Sequence, residues 1–435
     1  VGQTVFLRAM GLIYLVAFLS LAGQGRALLG SDGLLPIERF VRAVPFRDAP
    51  SLFHRWHSDR ALLTVAWTGV ALGALALVGL SHPLTWLVLW LLYLSVVNVG
   101  QRWYAFGWES LLLEVGLLTV CFGPTVTPWL LRWLLFRLEL GAGLIKLRGD
   151  RCWRDLTCLQ YHHETQPLPG PFSWHFHHLP AWAHKAEVLG NHAAQLVLPV
   201  ALVLPYPLVA VPAALMVVTQ CWLIASGNFS WLNFLTIAIA LPLLGGTTGH
   251  AEPTWVLGLS VAYAALVVVL SWRPARNLVS KRQLMNSSFD PLHLVNTYGA
   301  FGSITKVREE VVVEGADDAD GPWLAYELKA KPGDPMRRPR QVAPYHLRLD
   351  WLLWFVALSP AYGRGWFEPM LRKLLEGDAT TLRLFRTNPF PDAPPRFVRA
   401  STWTYRFTTR AERRATGAWW HREQTGVLVR PVSLR

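Results

Sequence analysis

The chain has 435 residues, 52% of them hydrophobic and only 16% charged. Soluble domains carry about 25% charge, so this composition excludes an ordinary soluble enzyme and points to a membrane protein. A net charge of +13 does not imply nucleic acid: the basic residues scatter through loops and tail, no helix-turn-helix, zinc-finger or RNP pattern occurs, and anionic lipid headgroups are the plainer partner.

Apolar runs of bilayer-crossing length, about 17–25 residues, fall at 5–23, 61–80, 83–99, 109–123, 127–145, 186–204, 206–225, 231–246 and 254–272. The first lacks a basic leader and reads as an anchor rather than a cleavable signal; the opening Val1 reads as a trimmed start or an alternative start codon. The 22 tryptophans suit a protein with two membrane interfaces to anchor. If all nine runs cross, the connections at 81–82, 124–126, 205 and 247–253 share one side and are short. Those at 24–60, 100–108 and 146–185, with everything after 273, share the other. One membrane face therefore carries every long loop and the tail. Its Lys and Arg would place it in the cytosol, but the positive-inside rule weakens for long loops.

Residues 273–302 read as a basic juxtamembrane connector with an interfacial helix near Trp272 and Arg273. After Gly302 the period changes to two: Val307, Val311 and Val313, then Leu324, Tyr326 and Leu328, flank the turn GADDADGP and predict a hairpin. Helices are expected at 348–358 and 366–376, and strands near 396–408 and 425–433. The expected fold class is a polytopic α-helical membrane protein with a small C-terminal α+β soluble domain. Its parts are a multi-pass domain over 1–272 with about 7–9 helices and the polar loop 146–185, the connector 273–302, and the α+β domain 303–435.

The richest chemistry lies in ELGAGLIKLRGDRCWRDLTCLQYHHETQ, residues 139–166. Arg132, Glu139 and Lys146 recur at seven-residue spacing and share one helix face. With Arg102, Glu109 and Glu114 they predict either interhelical ion pairs or a polar path. Cys152 and Cys158 are not spaced as a thioredoxin-type CxxC; a short disulfide, a redox pair and free thiols all stay open. Cys121 and Cys221, in apolar runs, read as packed thiols. Seven histidines fall between 162 and 192, yet no spacing matches HExxH or a zinc finger, so no metal ligand set is assigned. His162, His163 and Glu164, with Glu139 and Lys146, are the catalytic candidates. Asn228-Phe-Ser230 and Asn286-Ser-Ser288 match the glycosylation sequon. No nucleotide or cofactor signature appears, and the cofactor is unknown.

Several long strings resemble the lipase maturation factor family: FGWESLLLEVG at 106–116, GAGLIKLRGDRCWRDLTCLQYHHETQPLPGPFSWHFHHLP beginning at Gly141, LVNTYGAFGSITKVREEVVVEG at 294–315, YELKAKPGDPMRRPRQVAPYHLRLDWLLWF at 326–355, and NPFPDAPPRFVRA at 388–400. More distantly, the helical half resembles the horizontally transferred transmembrane domain shared with vitamin K-dependent γ-carboxylases. The resemblance implies a polytopic membrane protein whose C-terminal domain faces the endoplasmic reticulum lumen in animals, where members help lipases fold. It puts loop 146–185 and the tail on the exoplasmic side, against the Lys and Arg count. The Arg-, Ala- and Gly-rich usage suggests a bacterial member, in the inner membrane. Relatives joined to thiol-disulfide oxidoreductase-like domains suggest such an enzyme as a partner.

Two functions follow as expectations. The first is a folding factor that binds a secreted client, such as a lipase, beside the lipid bilayer. Trp153, Tyr161, Trp174 and Phe176 would be its aromatic anchors and Arg148, Arg151 and Arg154 its polar rim. The second is a membrane enzyme, redox or carboxylase-like, with a cavity beneath loop 146–185. A transporter is disfavoured, because the long loops crowd one side and no repeat appears.

Overall fold

The computed structural model describes residues 2–120, 122–245 and 252–434; Cys121 lies outside them. Among the described residues each apolar run contains a helix: α1 Gly2–Leu29, α2 Asp59–Leu77, α3 Pro83–Val99, α4 Gly107–Val120, α5 Thr127–Arg148, α6 Ala181–His192, α7 Ala210–Ser226, α8 Leu232–Leu244 and α9 Thr254–Leu270. By length and composition, α1, α2 and the segment Ala181–Val203 suffice to cross a membrane; α9 adds a fourth if counted across a 41° bend into Trp272–Val279. The others are shorter or carry more charge. The run at 186–204 is not one regular helix. After His192 the chain passes through a π turn at Ala193–Val197 and a 3-10 turn at Val200–Val203. Pro199, Pro205 and Pro207 prevent a regular continuation.

Close backbone approach holds the bundle together. A Cβ on Gly11 would sit 2.5 Å from the Leu77 nitrogen, and one on Gly73 would sit 2.7 Å from that of Leu15, so α1 and α2 pack backbone to backbone. α1 also lies against α8, α8 against α7, and α3 against α4. Cys221, expected as a packed thiol, is exposed on α7. A connector glycine repeats the device: Gly149 lies against the Gly302 carbonyl, which also accepts a 2.8 Å bond from the Asp150 amide. The GAGLIKLRG exit thus runs beside residues 298–302, on the way into the tail.

The tail forms a four-stranded antiparallel sheet of β1 Arg308–Ala316, β2 Leu324–Ala325, β3 Phe397–Phe407 and β4 Trp420–Val432, in the order β2-β1-β3-β4. Helices α10 Arg348–Leu358 and α11 Phe367–Leu375 fall near the predicted places, and α10 packs against β1. Val307 precedes β1 and is exposed, whereas Val311 and Val313 enter the core. On the opposite face of β1, Arg308 and Glu310 are just as buried. They are paired with each other and, through Glu310, with Lys331, so β1 is covered on both sides.

The long loops and the tail are locked to one another. Lys373 reaches Asp32 at 2.7 Å, Arg102 donates to the carbonyls of Ala361 and Tyr362, and the Trp354 indole donates to the Thr165 carbonyl. Asn228 is buried, and its side-chain oxygen accepts the amides of Val342 and Ala343 at 2.7 and 2.9 Å. That burial removes it as a glycosylation acceptor.

Candidate functional site

α4 supplies two buried carboxylates that leave the bundle for the C-terminal half. Glu109 accepts the Arg348 guanidinium at 2.8 Å and the Tyr93 hydroxyl, while the Arg348 guanidinium lies 3.4 Å above the Tyr104 ring. The His346 imidazole sits 3.7 Å from Glu109, too long for a hydrogen bond, in a box of Phe106, Trp108, Trp231 and Trp351. Burial in that box pushes His346 down to about 4. Ser20 and Gln24 of α1 hold the His346 carbonyl at 2.9 and 2.7 Å. One and a half turns further on, Glu114 pairs with Arg137 and accepts the Asn296 amide and side chain, both at 3.0 Å, and the Tyr298 hydroxyl at 2.6 Å. The ion pairs expected of Glu109 and Glu114 therefore exist, but with Arg348 and Arg137. Arg102 and Arg132 instead donate to carbonyls, Arg132 to those of Leu202 and Leu204.

The α5 exit is polar by other means. Glu139 accepts from the Gln220 amide at 2.8 Å, and Gln220 in turn accepts from Asn233. Lys146 donates to Gln195 at 2.6 Å and lies 5.3 Å from the Trp153 ring. Glu139 and Lys146 are both buried, and their nearest polar partners are amides.

Loop 146–185 is a chain of short helices pinned on both sides. Cys152 and Cys158 form a disulfide with Cα atoms 4.8 Å apart, packed against Trp153, Val188 and Ile304. Burial of both sulfurs suits a structural bridge better than thiol exchange. Trp153, offered as an exposed anchor, is 2% exposed, and its indole donates to the Phe301 carbonyl. Trp174 is equally withdrawn: its indole donates to Thr408 and its ring meets Trp419. Tyr161 and Phe176 are half-buried, Phe176 against His163 and Trp222. Arg148, Arg151 and Arg154 are exposed; Arg151 pairs with Asp155 at 3.2 Å, and Arg154 donates to the Leu147 carbonyl.

The three catalytic candidates of the short helix Leu159–Thr165 point to three different places. Successive helical residues diverge by about 100°. His162 lies between Phe229 and Phe301, and burial holds it at about 3, well below the ordinary histidine range. His163 turns to Glu187, 3.4 Å away, where His184 also approaches at 3.2 Å. Glu164 turns to the Phe407 amide at 2.6 Å, with His177 3.6 Å away; burial raises its carboxyl. Glu187 carried no signal in the sequence, since it stands 24 residues from His163 in an apolar run. The loop itself is gripped by β1, where Arg308 donates to the carbonyls of Glu164 and Pro167 at 2.8 and 3.1 Å.

A groove of about 790 Å³ opens between Asp32, Arg39 and the α10–α11 region, lined by Arg364, Arg372 and Lys373.

Comparison with known proteins joins both halves of this architecture to one family. Residues 1–250 match the lipase maturation factor transmembrane domain, and residues 294–430 match the lipase maturation factor C-terminal domain. Lipase maturation factor 1 of Bos taurus is 40% identical, over 99% of this chain and 89% of that protein; its Homo sapiens counterpart is 40% identical, over 99% and 88%. Lipase maturation factor 2 of Mus musculus is 29% identical, over 100% and 83%. No solved structure matches. The two domain matches together span most of the bundle, the pinned loop and the sheet, and the chain belongs to the lipase maturation factor family.

Proposed function

We propose that this membrane protein assists the folding or assembly of a secreted client, a lipase by the names of its relatives, on the loop-rich face. The full-length match to lipase maturation factors carries the reading. The buried Cys152–Cys158 bridge supports an exoplasmic place for that face, the endoplasmic reticulum lumen in animals or the periplasmic side in a bacterium, because such compartments let structural disulfides persist. Client contact falls to the surface the loop leaves free: Arg148, Arg151, Arg154 and the edge of Tyr161, with exposed Phe172 and Trp182 nearby in sequence. Exposed aromatics and arginines are the groups that most often anchor protein interfaces.

Co-expression with a secreted dimeric lipase tests the client role. The chain should raise secreted lipase activity, and the Arg151→Glu/Arg154→Glu pair should abolish the gain at unchanged membrane level. No gain from the wild-type chain across a panel of dimeric lipases would overturn it. For orientation, Arg151→Cys should react with an impermeant maleimide on sealed cells or microsomes only from the exoplasmic side.

A further inference from the structure

His163, His184 and Glu187 come from two elements and converge on one point. One ligand atom from each residue lies within 4.8 Å of the other two. The two edges that meet at Glu187 Oε2 measure 3.4 and 3.2 Å. A tetrahedral metal with bonds of about 2.0–2.1 Å has ligand–ligand edges of about 3.3 Å, which the two edges at Glu187 match, while the two imidazole ligand atoms stand within 4.8 Å of each other.

The polar contacts point the same way. His184 Nε2 faces the His177 carbonyl at 3.4 Å, and its Nδ1 lies 3.2 Å from a carboxylate oxygen of Glu187. A single metal ion would serve His184, His163 and Glu187 together.

His184 and Glu187 have the surroundings of an outer shell. Ligating histidines hand their other N–H to a carbonyl, and ligating carboxylates are themselves hydrogen-bonded. Here His184 Nε2 meets the His177 carbonyl, and the Trp222 indole donates to the second oxygen of Glu187 at 2.9 Å. Phe176 packs against His163 with its ring tilted by 35° and meets Trp222 edge-on, closing one side. All three ligand side chains are less than a tenth exposed.

We infer that His163, His184 and Glu187 bind a divalent first-row transition metal of the zinc class, which clamps loop 146–185 to α6 and, through Trp222, to α7. Two imidazoles and a carboxylate suit zinc and its neighbours better than magnesium or calcium, which prefer all-oxygen sites. The role is structural, since the ion would stand among packed rings and not in the groove near Asp32.

The test uses the full chain in detergent, purified through a non-histidine affinity tag from zinc-supplied cells. Elemental analysis should find about one zinc per chain, and removal by a strong chelator should lower the melting temperature, reversibly on adding zinc. His184→Gln and Glu187→Gln should each lower metal affinity roughly tenfold or more and melt like the chelated wild type. Should either variant fail to fold, cobalt loading of the wild-type chain decides: intense visible bands of a four-coordinate ion support the site, and their absence overturns it. Wild-type protein without metal, or metal equally retained by both variants, also overturns it.

Discussion

Two buried polar networks, centred on consecutive helices, solve the same problem differently. On α4, Glu109 and Glu114 are met by cations, Arg348 and Arg137, and through Arg348, Asn296 and Tyr298 they hold the C-terminal half. On α5, Glu139 and Lys146 are met by the amides of Gln220 and Gln195, inside the membrane half. A charge matched by an opposite charge from a distant segment makes a latch, because neither partner can leave without stranding the other. A charge matched by amides makes local packing. The α4 network therefore joins the halves, and the α5 network tunes one of them.

The hardest way to break that contrast is Arg348→Met. It leaves Glu109 buried without its cation and should cost about 3–5 kcal/mol, read as lost monodisperse protein or a lowered melting temperature in detergent. Adding Glu109→Gln should restore much of the loss; a double variant no better than the single would mean that the pair is not the latch. His346 sharpens the same node through pH. Its folded value of about 4 lies below the unfolded value of about 6.5, so only the unfolded state takes up a proton between them. Stability falls as pH drops through about 6.5, by roughly 3 kcal/mol for a shift of this size, and the decline levels off below about 4. His346→Phe should flatten its share of that decline in melting curves taken from pH 7 to 4.

Glu114→Gln keeps acceptors for Tyr298 and Asn296 but loses the Arg137 charge. A cost of about 1.5–3 kcal/mol should appear with faster proteolysis between 281 and 302. Gln220→Leu, on the amide-matched side, should cost about 1–3 kcal/mol without changing proteolysis of the connector. Arg151→Ala, on the free surface, should stay within about 0.5 kcal/mol of wild type while weakening client rescue.

Much of this architecture was legible because membrane helices and strands advertise themselves locally. The apolar runs appear as helices, and the period change after Gly302 marks the sheet. What escaped the sequence depends on long-range cover. Trp153 and Trp174 looked like surface anchors because nothing nearby in sequence hides them; Phe301 and Trp419, far along the chain, do. His162, His163 and Glu164 looked like one cluster because they are consecutive, yet helical geometry sends them apart. Glu187 lacked any local mark, and Arg348 and His346 became visible only when α4 met the tail. In the run at 186–204, prolines and a π turn replaced the continuous helix that hydropathy alone suggested.

The connector offers a last consequence. Residues 298–302 run back beside α5, with the Gly149–Gly302 approach and the Glu114 contacts binding them to the bundle. Lys281 and Arg282, just upstream, are exposed. The covalent link there matters less than the surfaces on either side of it. Two separately made polypeptides, ending and starting at that point, should find each other in the same membrane and rebuild the molecule.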